Sequence, residues 1–157
     1  MGLFKNKKHL IMAPTSGYIK ALKHVNDPMF SQALMGPGIA IKSIDGNIYS
    51  PVDGVVKVLF PTYHAIGIKS QDGEDILIHI GIDTVQLNGE GFLSYVEQGE
   101  MVHKGDLLLK VDLQLIQEKG YSDEVIICIT EPQGIQVSIT EQSNVKAIED
   151  VLMSIKK

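Results

Sequence analysis

The chain reads as an all-β protein, an antiparallel sandwich or barrel with a few short helices. Three observations predict this. Short runs of alternating apolar and polar residues recur, with turn signals about every 8–12 residues. Two such runs flank Asp72-Gly73, the strongest short hairpin signal. The pattern Pro-x-x-Gly-x-Ile/Val-Lys-x-Leu occurs twice, starting at Pro14 and at Pro51, a structural duplication within one domain.

In each copy, Pro14 or Pro51 sets a tight turn. Gly17 or Gly54 supplies a positive φ before a strand. Residues 10–22 therefore open with strand signals. Between the copies, Asp27 caps a short helical turn with Pro28 at its first position, closed by Gly36. Met29, Phe30, Leu34 and Met35 make this connector greasy, and the residues alone favour placing them in the core.

Ile39-Ala-Ile-Lys42 is a strand, Asp45-Gly46-Asn47 a turn, and Val55 to Phe60 a further strand. The central hairpin follows, then a polar loop from Thr84 to Gly91. A Gly99-x-x-Val102-x-x-Gly105 turn carries one strand back over another. Residues 107–111 continue as a strand, and Leu113 to Gly120 is a short helix stopped by Gly120. Val125–Thr130 and Ile135–Ile139 alternate again. Apolar residues at 145, 148, 151, 152 and 155 have helical spacing, which predicts a C-terminal helical segment over 145–157.

The 157 residues suit a single domain, 1–157, with a basic flexible N-terminus over 1–9. A net charge of −5 argues against nucleic acid as a partner. No run approaches the ~18 apolar residues of a membrane span, and the N-terminal apolar run is too short for a signal peptide. That N-terminus reads as a solvated tail in preference to a membrane-touching one. The only cysteine, Cys128, lies in an apolar run and reads as a buried core residue in a reducing, cytoplasmic setting.

The hairpin carries the chemistry. With a two-residue loop at Asp72-Gly73, Ile68 faces Leu77, Ile66 faces His79, His64 faces Gly81 and Thr62 faces Asp83, all on one side. Ile76, Ile78, Ile80 and Ile82 take the other side. Gly81, lacking a side chain, leaves space between the two imidazoles. A three-residue loop with a bulge would break this register. A lone His in an apolar strand is ordinarily a satisfied core residue. Two His, a Thr and an Asp on one patch point instead to a site.

No Gly-x-Ser-x-Gly supports a serine nucleophile, and no Walker loop supports nucleotide binding. His64, His79 and Asp83 match a zinc site in number, but no His-x-His or His-Glu-x-x-His anchors one. A neutral imidazole can instead attack phosphorus in line, with a second His and a Thr donating hydrogen bonds to the phosphoryl oxygens. A different reading keeps His64 and His79 as a non-phosphorylating regulatory or metal-binding pair.

Leu77-Ile-His-Ile-Gly-Ile-Asp-Thr-Val85, followed by Leu87-x-Gly-Glu-Gly-Phe92, resembles the signature of the glucose-family enzyme IIA of the bacterial sugar phosphotransferase system. Further matches are Ala13-Pro-x-x-Gly17, Asp27-Pro-Met-Phe30, Gly36-x-Gly38-Ile-Ala-Ile41, Ser50-Pro-Val-Asp-Gly54 and Phe60-Pro-Thr-Tyr-His-Ala-Ile66-Gly67. The resemblance runs from Ala13 to Leu113. It leaves out residues 131–144 and the tail after Val145.

The resemblance implies an antiparallel β-sandwich of duplicated hairpins, of the barrel-sandwich hybrid type. It implies that His79 is phosphorylated on Nε2, that His64 stabilises the phosphoryl group, that Thr62 adds a hydrogen bond and that Asp83 lies at the edge. The implied donor is the phosphocarrier HPr. The implied acceptor is a IIB domain of a membrane sugar permease, expected in trans, with membrane association through the transporter only. An apolar docking collar of Phe30, Leu34, Met35, Phe60, Leu77 and Val85 is implied as well, which moves Phe30, Leu34 and Met35 from the core to the surface. The expected activity needs no cofactor and no metal; zinc on His64 and His79 would be adventitious.

Overall fold

A computed structural model describes residues 8–157. The elements in order are β1 (Lys8–Met12), β2 (Gly17–Lys20), a 3₁₀ turn (Leu22–His24), α1 (Pro28–Ser31), β3 (Gly38–Ser43), β4 (Asn47–Tyr49), β5 (Gly54–Leu59), β6 (Ala65–Ser70) and β7 (Asp75–Ile82). A second 3₁₀ turn (Thr84–Leu87) leads to β8 (Phe92–Ser94), β9 (Met101–Val102), β10 (Leu107–Val111) and α2 (Leu113–Glu118). The chain ends with β11 (Ser122–Ile129), β12 (Gln136–Ile139), β13 (Asn144–Val145) and β14 (Val151–Lys156).

The strands form an eight-stranded sheet, β13-β2-β3-β11-β7-β6-β5-β9, and two three-stranded sheets, β1-β14-β12 and β4-β10-β8. The described strand pairs are antiparallel. Ile66, Ile68, Ile76, Ile78, Ile80, Val125 and Ile127 on the large sheet share one core with Ile11, Ile48, Leu109, Leu152 and Ile155 of the small sheets. The small sheets thus close over one face of the large one, and the molecule is the expected sandwich. Burying this Ile-rich interior is its main source of stability.

The other face of the large sheet carries a smaller cluster. Ala40, Ile126, Cys128 and Ile82 lie there under Leu22, Val25 and Phe30. Asp27 accepts a hydrogen bond from the Met29 amide (2.9 Å) and Pro28 begins the helix, so α1 starts as its sequence dictates. Cys128 is fully buried, and burial pushes its thiol up to about 12. It packs as a small apolar residue.

The duplicated glycines serve a different purpose from the predicted one. Neither Gly17 nor Gly54 has a positive φ. A Cβ on Gly17 would lie 1.9 Å from the Lys42 carbonyl oxygen, and one on Gly54 would lie 2.3 Å from that of Lys69. Both mark a close approach of paired backbones: Gly17 pairs with Ser43 and Gly54 with Ser70.

The chain ends also differ from expectation. Lys8 and His9 belong to β1; residues 1–7 lie outside the described part of the chain. The segment 145–157 holds the last residue of β13 and all of β14 in place of a helix. Ile148 sits at φ 65, which interrupts any helix through it. Beyond it, β14 is hydrogen-bonded to β1 on one side and β12 on the other, burying Leu152, Met153 and Ile155. Satisfying both strand edges outweighs the helical spacing.

Candidate functional site

The site is built on the β6–β7 hairpin, in a register one residue away from the predicted one. Ala65 faces His79, Ile66 faces Ile78 and Ile68 faces Ile76. The loop is Gln71-Asp72-Gly73, closed by Ser70 and Glu74: the Ser70 amide donates to the Glu74 carbonyl (2.8 Å) and the Gly73 amide to the Ser70 carbonyl (3.0 Å). Gly73 alone in this loop has a positive φ, 104°. A two-residue type I′ turn needs positive φ at both central residues, so the three-residue form wins.

His79 consequently sits in a cross-sheet row of Ala40, Ile126, His79 and Ala65, on the face with the smaller cluster. Its strand neighbour on one side is an alanine, which leaves room for the ring. His64 arrives by another route. It precedes β6, after Tyr63 at φ 59, and its carbonyl accepts from the Ile80 amide (2.7 Å). This turn, not strand alternation, brings it to His79. The two ring centroids are 5.2 Å apart at 83°. Phe30 lies 5.0 Å from the His79 ring, and Phe60 lies 5.3 Å from that of His64, edge to face.

Gly81 does not leave open space between the imidazoles. A Cβ there would come within 2.4 Å of Thr84 Cγ2 and 2.5 Å of the Ser122 carbonyl oxygen. Its φ of 75° also ends the strict alternation of β7, so Ile80 enters the main core while Ile82 joins the smaller cluster. The Gly81 carbonyl accepts a hydrogen bond from His79 Nδ1 at 2.9 Å. A carbonyl only accepts, so Nδ1 carries the proton and Nε2 holds the lone pair.

Burial pushes His79 down to about 4, with the nearby His64 adding to the effect; the Gly81 hydrogen bond, Asp27 and Asp83 act in the opposite direction. Burial also lowers His64. Both rings are therefore neutral at pH 7, and His79 presents an unprotonated Nε2.

Thr62 Oγ1 is hydrogen-bonded to His64 Nδ1, so Thr62 meets the pair through His64. When the hydroxyl donates, the His64 proton sits on Nε2. Asp83 is exposed at φ 62, at the head of the Thr84–Leu87 turn. Asp27 is a residue whose place here the sequence reading missed. Its carboxylate both caps α1 and favours the protonated form of His79. The signal was present in Asp27-Pro-Met-Phe30, where the capped helix delivers Phe30 onto the His79 ring.

Of the six collar residues, Leu34 (61% exposed), Val85 (48%) and Phe60 (37%) are on the surface. Met35 and Leu77 are half-buried, and with Phe60 they line a cleft of about 250 Å³. Phe30 is only 4% exposed and belongs to the smaller cluster, so for this residue the core placement holds.

Residues 9–135 match the family described as phosphoenolpyruvate-dependent sugar phosphotransferase system, EIIA 1. The chain is 45% identical over 137 residues to a PTS system glucose-specific EIICBA component of Staphylococcus saprophyticus. That match covers 87% of this chain and 20% of the relative, so the chain spans about a fifth of the relative's length. Among solved structures, the glucose permease IIA from Mycoplasma capricolum superposes with a TM-score of 0.90 at 38% identity, covering 96% of this chain and 97% of that one.

Proposed function

Because the chain belongs to the EIIA 1 family of the phosphoenolpyruvate-dependent sugar phosphotransferase system, and is thus a IIA phosphotransferase component, we propose that His79 is its phosphorylated residue. The observation that carries the proposal is the Nδ1–H to Gly81 carbonyl hydrogen bond, which fixes the tautomer with Nε2 as nucleophile. The Nε2 lone pair forms a bond to phosphorus while the bond from phosphorus to the donor breaks, its electron pair returning to the donor. No proton need move on His79, because Nδ1 keeps its own. The product ring carries a positive charge beside a phosphoryl dianion, and the Gly81 carbonyl stabilises that charge.

His64, backed by Thr62, supplies the hydrogen bond to the transferred group; positioning and fixed dipoles do most of the work in such a transfer. The donor is HPr and the acceptor a cysteine of a IIB domain in a glucose-type permease. Leu34, Val85, Phe60, Met35 and Leu77 form the apolar ring on which they dock, with Phe30 buttressing His79 from below. The setting is the cytoplasm. Among the described residues no helix is long and apolar enough to cross a membrane.

The test is incubation with phosphoenolpyruvate, enzyme I and HPr, followed by intact mass. An acid-labile gain of one phosphoryl group, absent in His79→Ala, is expected. No gain while HPr itself is phosphorylated would overturn the assignment and bring forward the reading of His64 and His79 as a metal-binding pair.

A further inference from the structure

At the tip of the same hairpin, just before β7 begins, a second group of ionisable side chains converges. Glu74 is buried, its side chain only 2% exposed. One carboxylate oxygen, Oε1, accepts from the Ser70 hydroxyl (3.0 Å). The other, Oε2, lies 3.3 Å from His9 Nδ1 and 3.3 Å from Lys157 Nζ. The Asp72 carboxylate lies 3.8 Å from His9 Nε2. One imidazole and two carboxylates thus offer donor atoms that all fall within 4.8 Å of one another.

We propose that His9, Asp72 and Glu74 form a binding site for a divalent cation of the zinc class. Bonds of about 2.0–2.2 Å to a tetrahedral ion place neighbouring donor atoms roughly 3.3–3.6 Å apart. The His9–Glu74 separation already has that value. Asp72, whose side chain is 49% exposed and faces the opposite ring nitrogen, Nε2, joins the set by rotating toward the Nδ1 edge that Glu74 faces. The fourth position opens onto a polar cleft of about 210 Å³ lined by His9, Gln71, Asp72 and Asp53, with room for water. One nitrogen and two carboxylates suit zinc better than calcium or magnesium, which prefer all-oxygen sets.

The buried Glu74 carboxylate needs a counter-charge in any state, and Lys157 supplies one. Its ammonium also donates to the Asp72 carbonyl, so it competes with an ion for the same carboxylate. The Lys157 side chain is half-exposed, so solvent is at hand to take its ammonium when an ion displaces it. A doubly charged ion replaces it and satisfies both carboxylates together. Lys8 and Lys104 line the cleft and oppose the ion, while Lys157 competes with it directly for the Glu74 carboxylate. The site would tie β1 to the hairpin tip, and it stands independently of the phosphocarrier reading.

The test is a titration with zinc chloride, by calorimetry and by competition with a chelating dye. It uses a His64→Ala, His79→Ala background so that the other imidazole pair contributes nothing. One saturable equivalent is expected. His9→Ala should weaken it by about tenfold or more, and Asp72→Asn should weaken it as well. Lys157→Ala should tighten it several-fold. Zinc should raise the melting temperature of the background protein and not of its His9→Ala form. Glu74 is buried, so His9, Asp72 and Lys157 variants carry the test. No saturable equivalent, or binding that neither His9→Ala nor Asp72→Asn weakens, or weakening by Lys157→Ala, would overturn the proposal.

Discussion

The His64 and His79 rings meet edge to face at 83°, with centroids 5.2 Å apart. At that distance a charge on one imidazole opposes a charge on the other, and burial opposes both. A phosphoryl group arriving at His79 Nε2 changes this balance, because its negative charge favours a proton on His64. In the phosphocarrier proposed above, the pair would supply one neutral nucleophile and one proton-bearing neighbour.

His64→Gln should separate the two roles. An amide keeps a hydrogen bond to the phosphoryl group but cannot become cationic. Phosphorylation of His79 should persist, while transfer onward to a IIB acceptor falls by about 10²-fold. Rapid-quench transfer assays read both steps. Wild-type rates in both would remove His64 from the mechanism.

The titration of His79 should appear in stability. Its folded value of about 4 lies below the ordinary 6.5, so between those two values the unfolded chain binds more protons. Stability is fully present above about 6.5 and is lost as pH falls toward 4, with a slope of at most about 1.4 kcal/mol per pH unit from this one group. Denaturant unfolding of His79→Gln across that range should show a shallower dependence. An unchanged slope would mean that His79 titrates normally.

Gly81→Ala should damage both fold and site. It forces a side chain into φ 75°, at about 1–2 kcal/mol, and drives a Cβ against Thr84 and the Ser122 carbonyl. Urea unfolding should show a loss above about 2 kcal/mol, and phosphorylation of the folded fraction should slow because the carbonyl facing His79 Nδ1 moves. A variant with wild-type stability and rate would deny Gly81 its role.

The apolar collar divides by burial. Leu34→Asp and Val85→Asp should leave the melting temperature nearly unchanged and raise the KM for phosphorylated HPr, since both residues are exposed. Phe30→Ala should instead cost about 3 kcal/mol or more, as expected of a buried aromatic. Equal stability losses in all three would place Leu34 and Val85 in the fold, not the docking surface.

Much of this arrangement was legible in the residues. The sandwich, the hairpin at Asp72-Gly73 and the capped turn at Asp27-Pro28 follow from local chemistry. The register did not. It depends on whether one or two loop residues take positive φ, and Asp-Gly accommodates either. His64 reached the site although the deduction that placed it there used the wrong register, because Tyr63 turns the chain just before it. The C-terminal strand was hidden for a different reason. Its spacing fits a helix, and only the two partner strands, distant in sequence, decide otherwise.

Those partners give the fold an order in time. Lys8 pairs with Lys156 and Ile11 with Met153, so the first described strand waits for a neighbour from the far end of the described chain. Until then Ile11 has no sheet to enter, and the main core stands open on one side. The nascent chain can close the β6–β7 hairpin early, but the small sheet that seals its inner face is completed only once β14 has been made.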